Sequence, residues 1–174
     1  MWTQAPSAII DSPEQMLFLD NLQARLSFYP YVTSGTRTPE TQARAMFKKI
    51  QLGGLEELLK TYSNDNYARD VYAAFPDNAA AAAVIAKYRD KGYGSAHLRG
   101  LSVDLRTRDR TEDEIRQMIE ASIALGANAE REYTPPHLHI TIPAGAAPHA
   151  APALLVPIVI AILGILAANY WGTR

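Results

Sequence analysis

The sequence predicts an α+β domain: a small antiparallel β-sheet flanked by helices, followed by one apolar C-terminal helix of membrane-spanning length. Two observations predict this architecture. Helical periodicity dominates the first ninety or so residues, after which alternating stretches such as "LSVDLRT" and "HLHITI" surround a single amphipathic helix. The tail is the second observation, because Arg174 is the only charged residue after Glu132.

From the N-terminus, Met16, Leu17, Leu19, Leu22 and Leu26 recur at roughly helical spacing within residues 13–28, with Ser12 as N-cap and Pro13 opening the helix. "YVTSG" reads as a short strand that breaks at Gly35. A second helix follows in "TPETQARAMFKKI", capped by Thr38 and opened by Pro39, and "GGLEELLKTY" and "NYARDVYAAF" give shorter helical pieces. "PDNAAAAAVIAKYRDKG" is an alanine-rich helix, capped by Asp77 or Asn78 and stopped at Gly92. After the strand "LSVDLRT", the segment "TEDEIRQMIEASIALG" places acids in its first turn, where they complement the helix dipole. "NAEREY" and "HLHITI" then close the domain as strands.

"PAGAAPHAAPA" is a small-residue, proline-rich linker, in which His149 has no partner motif. The run "LLVPIVIAILGILAANYW" comes next, charge-free and close to the length that crosses a bilayer. Tyr170 and Trp171 stand at its end, where interfacial aromatics are expected, and Pro157 and Gly164 would weaken a helix in water more than one in a membrane. The expected organisation is a domain over residues 1–142, a linker over 143–152 and a transmembrane helix over 153–171 that anchors the chain to a lipid bilayer.

Composition narrows the function classes. The chain has 174 residues, no cysteine and a formal net charge of −1. That balance gives no electrostatic reason to expect nucleic-acid binding. Without thiolates, disulfides are excluded and any metal must be held by nitrogen and oxygen ligands. The N-terminus lacks a basic segment followed by an apolar run, so it does not read as a secretory signal.

Chemistry concentrates in "SAHLRGLSVDL" and "PHLHITI". Residues two apart on a strand share a face, so His137 and His139 point the same way while Leu138, Ile140 and Ile142 pack behind. Gly100 lets the backbone turn between His97 and the strand carrying Asp104, whose carboxylate would be costly among Val103 and Leu105 without a partner. An arginine or a helix N-terminus would partner it, and a metal would do so better. Two histidines and one carboxylate with an open fourth position is the expected arrangement for a catalytic zinc, which makes water acidic enough to ionise near neutrality and polarises a carbonyl.

These motifs resemble the zinc peptidase superfamily of D-alanyl-D-alanine carboxypeptidases, phage L-alanyl-D-glutamate endopeptidases and the hedgehog signalling domain. The shared pattern is Ser-x-His-x-x-Gly-x-x-x-Asp with a later His-x-His strand. A second block, "TSGTRTPETQ", resembles the superfamily's Ser-Gly-x-Arg-(Ser/Thr)-x-x-x-Gln segment. The resemblance covers roughly residues 30–142. It implies that His97, Asp104 and His139 bind Zn2+, that His137 orients water or stabilises the oxyanion, and that Arg37 contacts a substrate carboxylate or carbonyl. Ser95 caps the loop or hydrogen-bonds near the site. The superfamily's general base is an acid shortly before the last histidine; here Glu132 is nearest, at a spacing that calls for a bulge or altered loop, with Glu130 or His137 as alternatives. The expected activity is hydrolysis of peptide bonds in bacterial peptidoglycan by a membrane-anchored enzyme, phage- or virion-associated or of a bacterial envelope, with the N-terminal domain outside. The alternative is a membrane-tethered binding or virion structural module that uses the zinc fold without catalysis.

Overall fold

The computed structural model describes residues 1–145. It is an α+β domain in which a five-stranded mixed sheet is joined to five α-helices. In chain order these are β1 (Thr3–Gln4), α1 (Pro13–Gln23), β2 (Tyr31–Ser34), α2 (Pro39–Thr61), α3 (Asp65–Ala73), α4 (Asn78–Arg89), a 3₁₀ turn (Ala96–Arg99), β3 (Ser102–Arg106), α5 (Glu112–Ala124), β4 (Asn128–Tyr133) and β5 (Pro136–Thr141). Among these described residues no helix is long and apolar enough to cross a membrane. The transmembrane segment expected at 153–171, and all of the linker beyond residue 145, lie outside them.

The helix starts follow the capping chemistry. The side chains of Ser12, Thr38, Asn64, Asp77 and Thr111 each accept a hydrogen bond from a backbone N–H in the first turn of their helix. Thr111 and Glu114 form a reciprocal capping box. As expected, "GGLEELLKTY" is a distinct helical piece: Gly53 and Gly54 leave helical geometry, Gly54 at φ +64°, and divide α2 into two helical segments. Helix α1 ends at Gln23 and buries Phe18, Leu19 and Leu22, while Met16 and Leu17 remain exposed.

Sheet order is β1-β2-β3-β5-β4. The expected all-antiparallel sheet is corrected at one edge, where β1 pairs parallel to β2. β1 is two exposed residues with no alternation to read, and only its pairing makes it a strand. The other pairs are antiparallel and set Asp104 opposite His139, and Arg106 opposite His137.

Two apolar clusters fill the domain. One packs Val103, Leu105, Leu138 and Ile140 of the sheet against Leu19 and Leu22 of α1 and Ile115 and Met118 of α5. The other joins Met46, Leu58, Tyr67, Val71 and Ile85 of α2–α4 to Leu98 of the 3₁₀ turn. Alternation therefore commits one face of β3 and β5 to the first cluster and turns Ser102, Asp104, His137 and His139 to the other face. Lys49 of α2 reaches Glu132 of β4 at 3.3 Å, so α2 flanks that polar face.

Candidate metal centre

His97 sits in the 3₁₀ turn, whose start is capped by Ser95: the Ser95 hydroxyl accepts from the His97 N–H at 3.3 Å. Gly100 closes the turn at φ +65°, a left-handed conformation that favours glycine. A Cβ there would also come within 2.7 Å of Ser12 Cβ. Ser12 donates its hydroxyl to the Gly100 carbonyl at 2.7 Å while capping α1, so one side chain fastens the helix to the turn that aims His97.

Four of the predicted side chains meet around Asp104. Its Oδ1 lies 3.2 Å from His97 Nε2, 2.8 Å from His139 Nδ1 and 3.7 Å from His137 Nε2. Its Oδ2 accepts from the Arg37 guanidinium at 2.8 Å. Burial alone would raise the Asp104 carboxyl, but the adjoining imidazoles of His139 and His97, and the charge of Arg37, outweigh it and hold the group well below the usual carboxylate range. His97 is driven the opposite way: burial pushes its imidazole down in spite of Asp104.

Hydrogen-bond partners fix the tautomers. His97 Nδ1 is 2.6 Å from the Gly35 carbonyl oxygen, which can only accept, so Nδ1 carries the proton and the Nε2 lone pair faces Asp104. Ser102 donates its hydroxyl to the Ile140 carbonyl at 2.7 Å, which leaves its oxygen to accept from His139 Nε2 at 3.3 Å. Thr141 Oγ1 also lies 3.4 Å from His139 Nε2; with Nε2–H directed at Ser102, the nearer of the two hydroxyls, the His139 lone pair is at Nδ1 and also faces Asp104. Two lone pairs converging on one carboxylate oxygen call for a cation among them. A proton is disfavoured because burial opposes charging His97. His97, Asp104 and His139 each offer a ligand atom within 4.8 Å of the others, and they can hold a metal ion.

Glu132, and not Glu130, joins this group. The hairpin between β4 and β5 turns over Thr134 and Pro135 and pairs Glu132 directly with His137, so the spacing needs no bulge. Glu132 Oε1 is 3.8 Å from His137 Nε2, whereas Glu130 is exposed and belongs to neither cluster of possible ligands. Arg37 donates to three protein acceptors. Its Nε donates to Ser34 Oγ at 3.0 Å, one terminal nitrogen to Gln42 Oε1 at 3.3 Å and the other to Asp104. Gln42 in turn donates to the Tyr62 hydroxyl at 2.9 Å, and burial pushes that phenol up to about 12, so it stays neutral at physiological pH.

Sequence reasoning missed Ser102, Tyr62 and Lys49. Ser102 alone left a trace, being two residues before Asp104 and thus on its face of the strand. Ser102→Ala is expected to weaken metal affinity about 10–100-fold, since removing an orienting partner of a ligand typically does so. A calorimetric titration checks this, and an unchanged affinity would remove Ser102 from the site.

No protein-family model, curated protein or solved structure matches the chain.

Proposed function

We propose that the chain is a membrane-anchored zinc metallopeptidase that hydrolyses peptide bonds of bacterial peptidoglycan. The carrying observation is the convergence of His97 Nε2 and His139 Nδ1 lone pairs on the Asp104 carboxylate, beside a second carboxylate, Glu132. Zinc is the ion that best suits two imidazoles and one carboxylate, and when bound it supplies Lewis-acid polarisation of a carbonyl and activates water near neutral pH. The resemblance of "SAHLRGLSVDL" and "HLH" to peptidoglycan peptidases supplies the substrate class, and the apolar run at 153–171 supplies the anchor.

The chain's own residues then divide the work. Glu132, at the rim of the site, takes the proton from the attacking water and delivers it to the leaving amine. His137, whose Nδ1–H is held by the Pro135 carbonyl at 2.7 Å, presents Nε2 between Glu132 and Asp104 and, when protonated, donates to the developing oxyanion. Arg37 holds Asp104 in place, and the N–H groups not directed at protein atoms remain for a substrate oxygen. Ser95 shapes the turn that carries His97.

Incubating the full-length chain with purified peptidoglycan, with and without chelator, tests this. The expected result is about one zinc per chain, as a single three-ligand site predicts, and chelator-sensitive release of peptide fragments whose new termini identify the bond. Zinc retained with every wall preparation intact would leave the second reading, a tethered zinc-binding module without catalysis. The contact that favours this second reading is Lys49–Glu132, which engages the proposed base.

A further inference from the structure

A second set of ligand atoms overlaps the first. Glu132, His137 and His139 also offer one atom each within 4.8 Å of the others. Glu132 and His137 are paired residues on adjacent strands, so the hairpin itself sets their separation. The His137 Nδ1 proton goes to the Pro135 carbonyl, which turns the Nε2 lone pair to Glu132 Oε1 at 3.8 Å and Asp104 Oδ1 at 3.7 Å. Arg37 and Lys49 pair with the far oxygens of these two carboxylates, so the His137 lone pair faces the near oxygens, Asp104 Oδ1 and Glu132 Oε1, across a gap that suits a cation. The 3.8 Å gap is near the roughly 3.4 Å that separates donor atoms around a tetrahedral ion with bonds of about 2.0–2.1 Å. Lys49 contacts Glu132 through Oε2 and leaves Oε1 open.

His139 belongs to both sets but has one free ring nitrogen, because Nε2 is hydrogen-bonded to Ser102. The two positions therefore exclude each other. They also differ in depth: the side chains of His97 and Asp104 are 2% and 6% exposed, against 32% for Glu132. We propose that the centre has two alternative positions for one divalent cation, an inner one at His97, Asp104 and His139 and an outer one at Glu132, His137 and His139. An ion from solvent reaches the outer position first. While there it occupies Glu132 and His137, so a chain loaded in this way is silent as a peptidase; this consequence, unlike the ligand assignment, rests on the function proposed above.

The test is a calorimetric zinc titration of the full-length chain and its variants. His97→Ala removes an inner ligand only and is expected to keep one ion per chain at an affinity weaker by about 10–100-fold. His139→Ala, which removes the shared ligand, is expected to keep none. Adding Glu132→Gln to His97→Ala is expected to abolish the remaining binding. His97→Gln, whose amide can still donate to the Gly35 carbonyl, gives the same result if alanine leaves the buried turn unable to fold. Should the His97 variants bind no better than His139→Ala, or should Glu132→Gln change nothing in their background, the outer position does not exist. The titration is independent of hydrolysis. Intact peptidoglycan with the expected pattern of affinities overturns the peptidase reading alone, and fragment release without that pattern overturns only the outer position.

Discussion

His139→Ala is expected to abolish metal binding and any stability that a bound ion would confer. A ligand that binds only the folded state stabilises it by about 2.7 kcal/mol at a concentration 100-fold above its dissociation constant. The wild-type chain is expected to gain that increment when zinc is added at such an excess, and the variant to gain none. His139 is partly exposed, and its Nε2–H gives Ser102 one hydrogen bond. Its loss therefore costs the metal-free chain about 0.5–1.5 kcal/mol, the net worth of a typical hydrogen bond. Thermal unfolding of both proteins, each with zinc and with chelator, separates the two effects. A zinc-dependent increment that survives in His139→Ala would place the ion elsewhere. Peptidoglycan hydrolysis, if the wild type performs it, falls to background in the same variant.

Gly35→Ala damages the domain and the site together. Gly35 is not in a left-handed conformation; its constraint is space, because an added Cβ would overlap the Ile9 carbonyl oxygen and the Ile10 side chain. That approach is what lets Thr36 donate its N–H to the Ile9 carbonyl at 2.7 Å. The same glycine offers its own carbonyl to His97 Nδ1. Forcing a methyl group in is expected to cost about 1–3 kcal/mol in overpacking, with ~1 kcal/mol more if the Thr36–Ile9 bond breaks. Weaker zinc binding accompanies it, because the His97 tautomer loses its acceptor. Urea unfolding and a zinc titration measure the two effects. Stability and affinity both equal to wild type would show that the N-terminal segment yields freely and does not brace the site.

Much of this was legible in the sequence, where the physics is local. The caps at Ser12, Thr38 and Asp77 need only the next few residues, and strand alternation places His137 with His139 and sets Asp104 apart from Val103 and Leu105. What local pattern cannot supply is the identity of a partner brought close by folding. Arg37 and Asp104 are 67 positions apart, and Lys49 and Glu132 are 83 apart. The edge strand β1 was invisible for a related reason, since Thr3 and Gln4 have no buried face. The doubt over the spacing of Glu132 and His137 came from counting residues; cross-strand pairing, not chain distance, brings them together.

The two faces of β3 and β5 have a consequence for how the fold is kept correct. Sliding β5 by one residue against β3 would bury His137 and His139 in the apolar cluster and expose Leu138 and Ile140. It would also separate His139 from Asp104. Ion binding and core formation thus accept the same alignment of the two strands and reject its neighbours. A metal held across that pair would act as a proofreader of strand alignment: a misaligned chain would forfeit the ion as well as the core, so two independent penalties would guard a single arrangement.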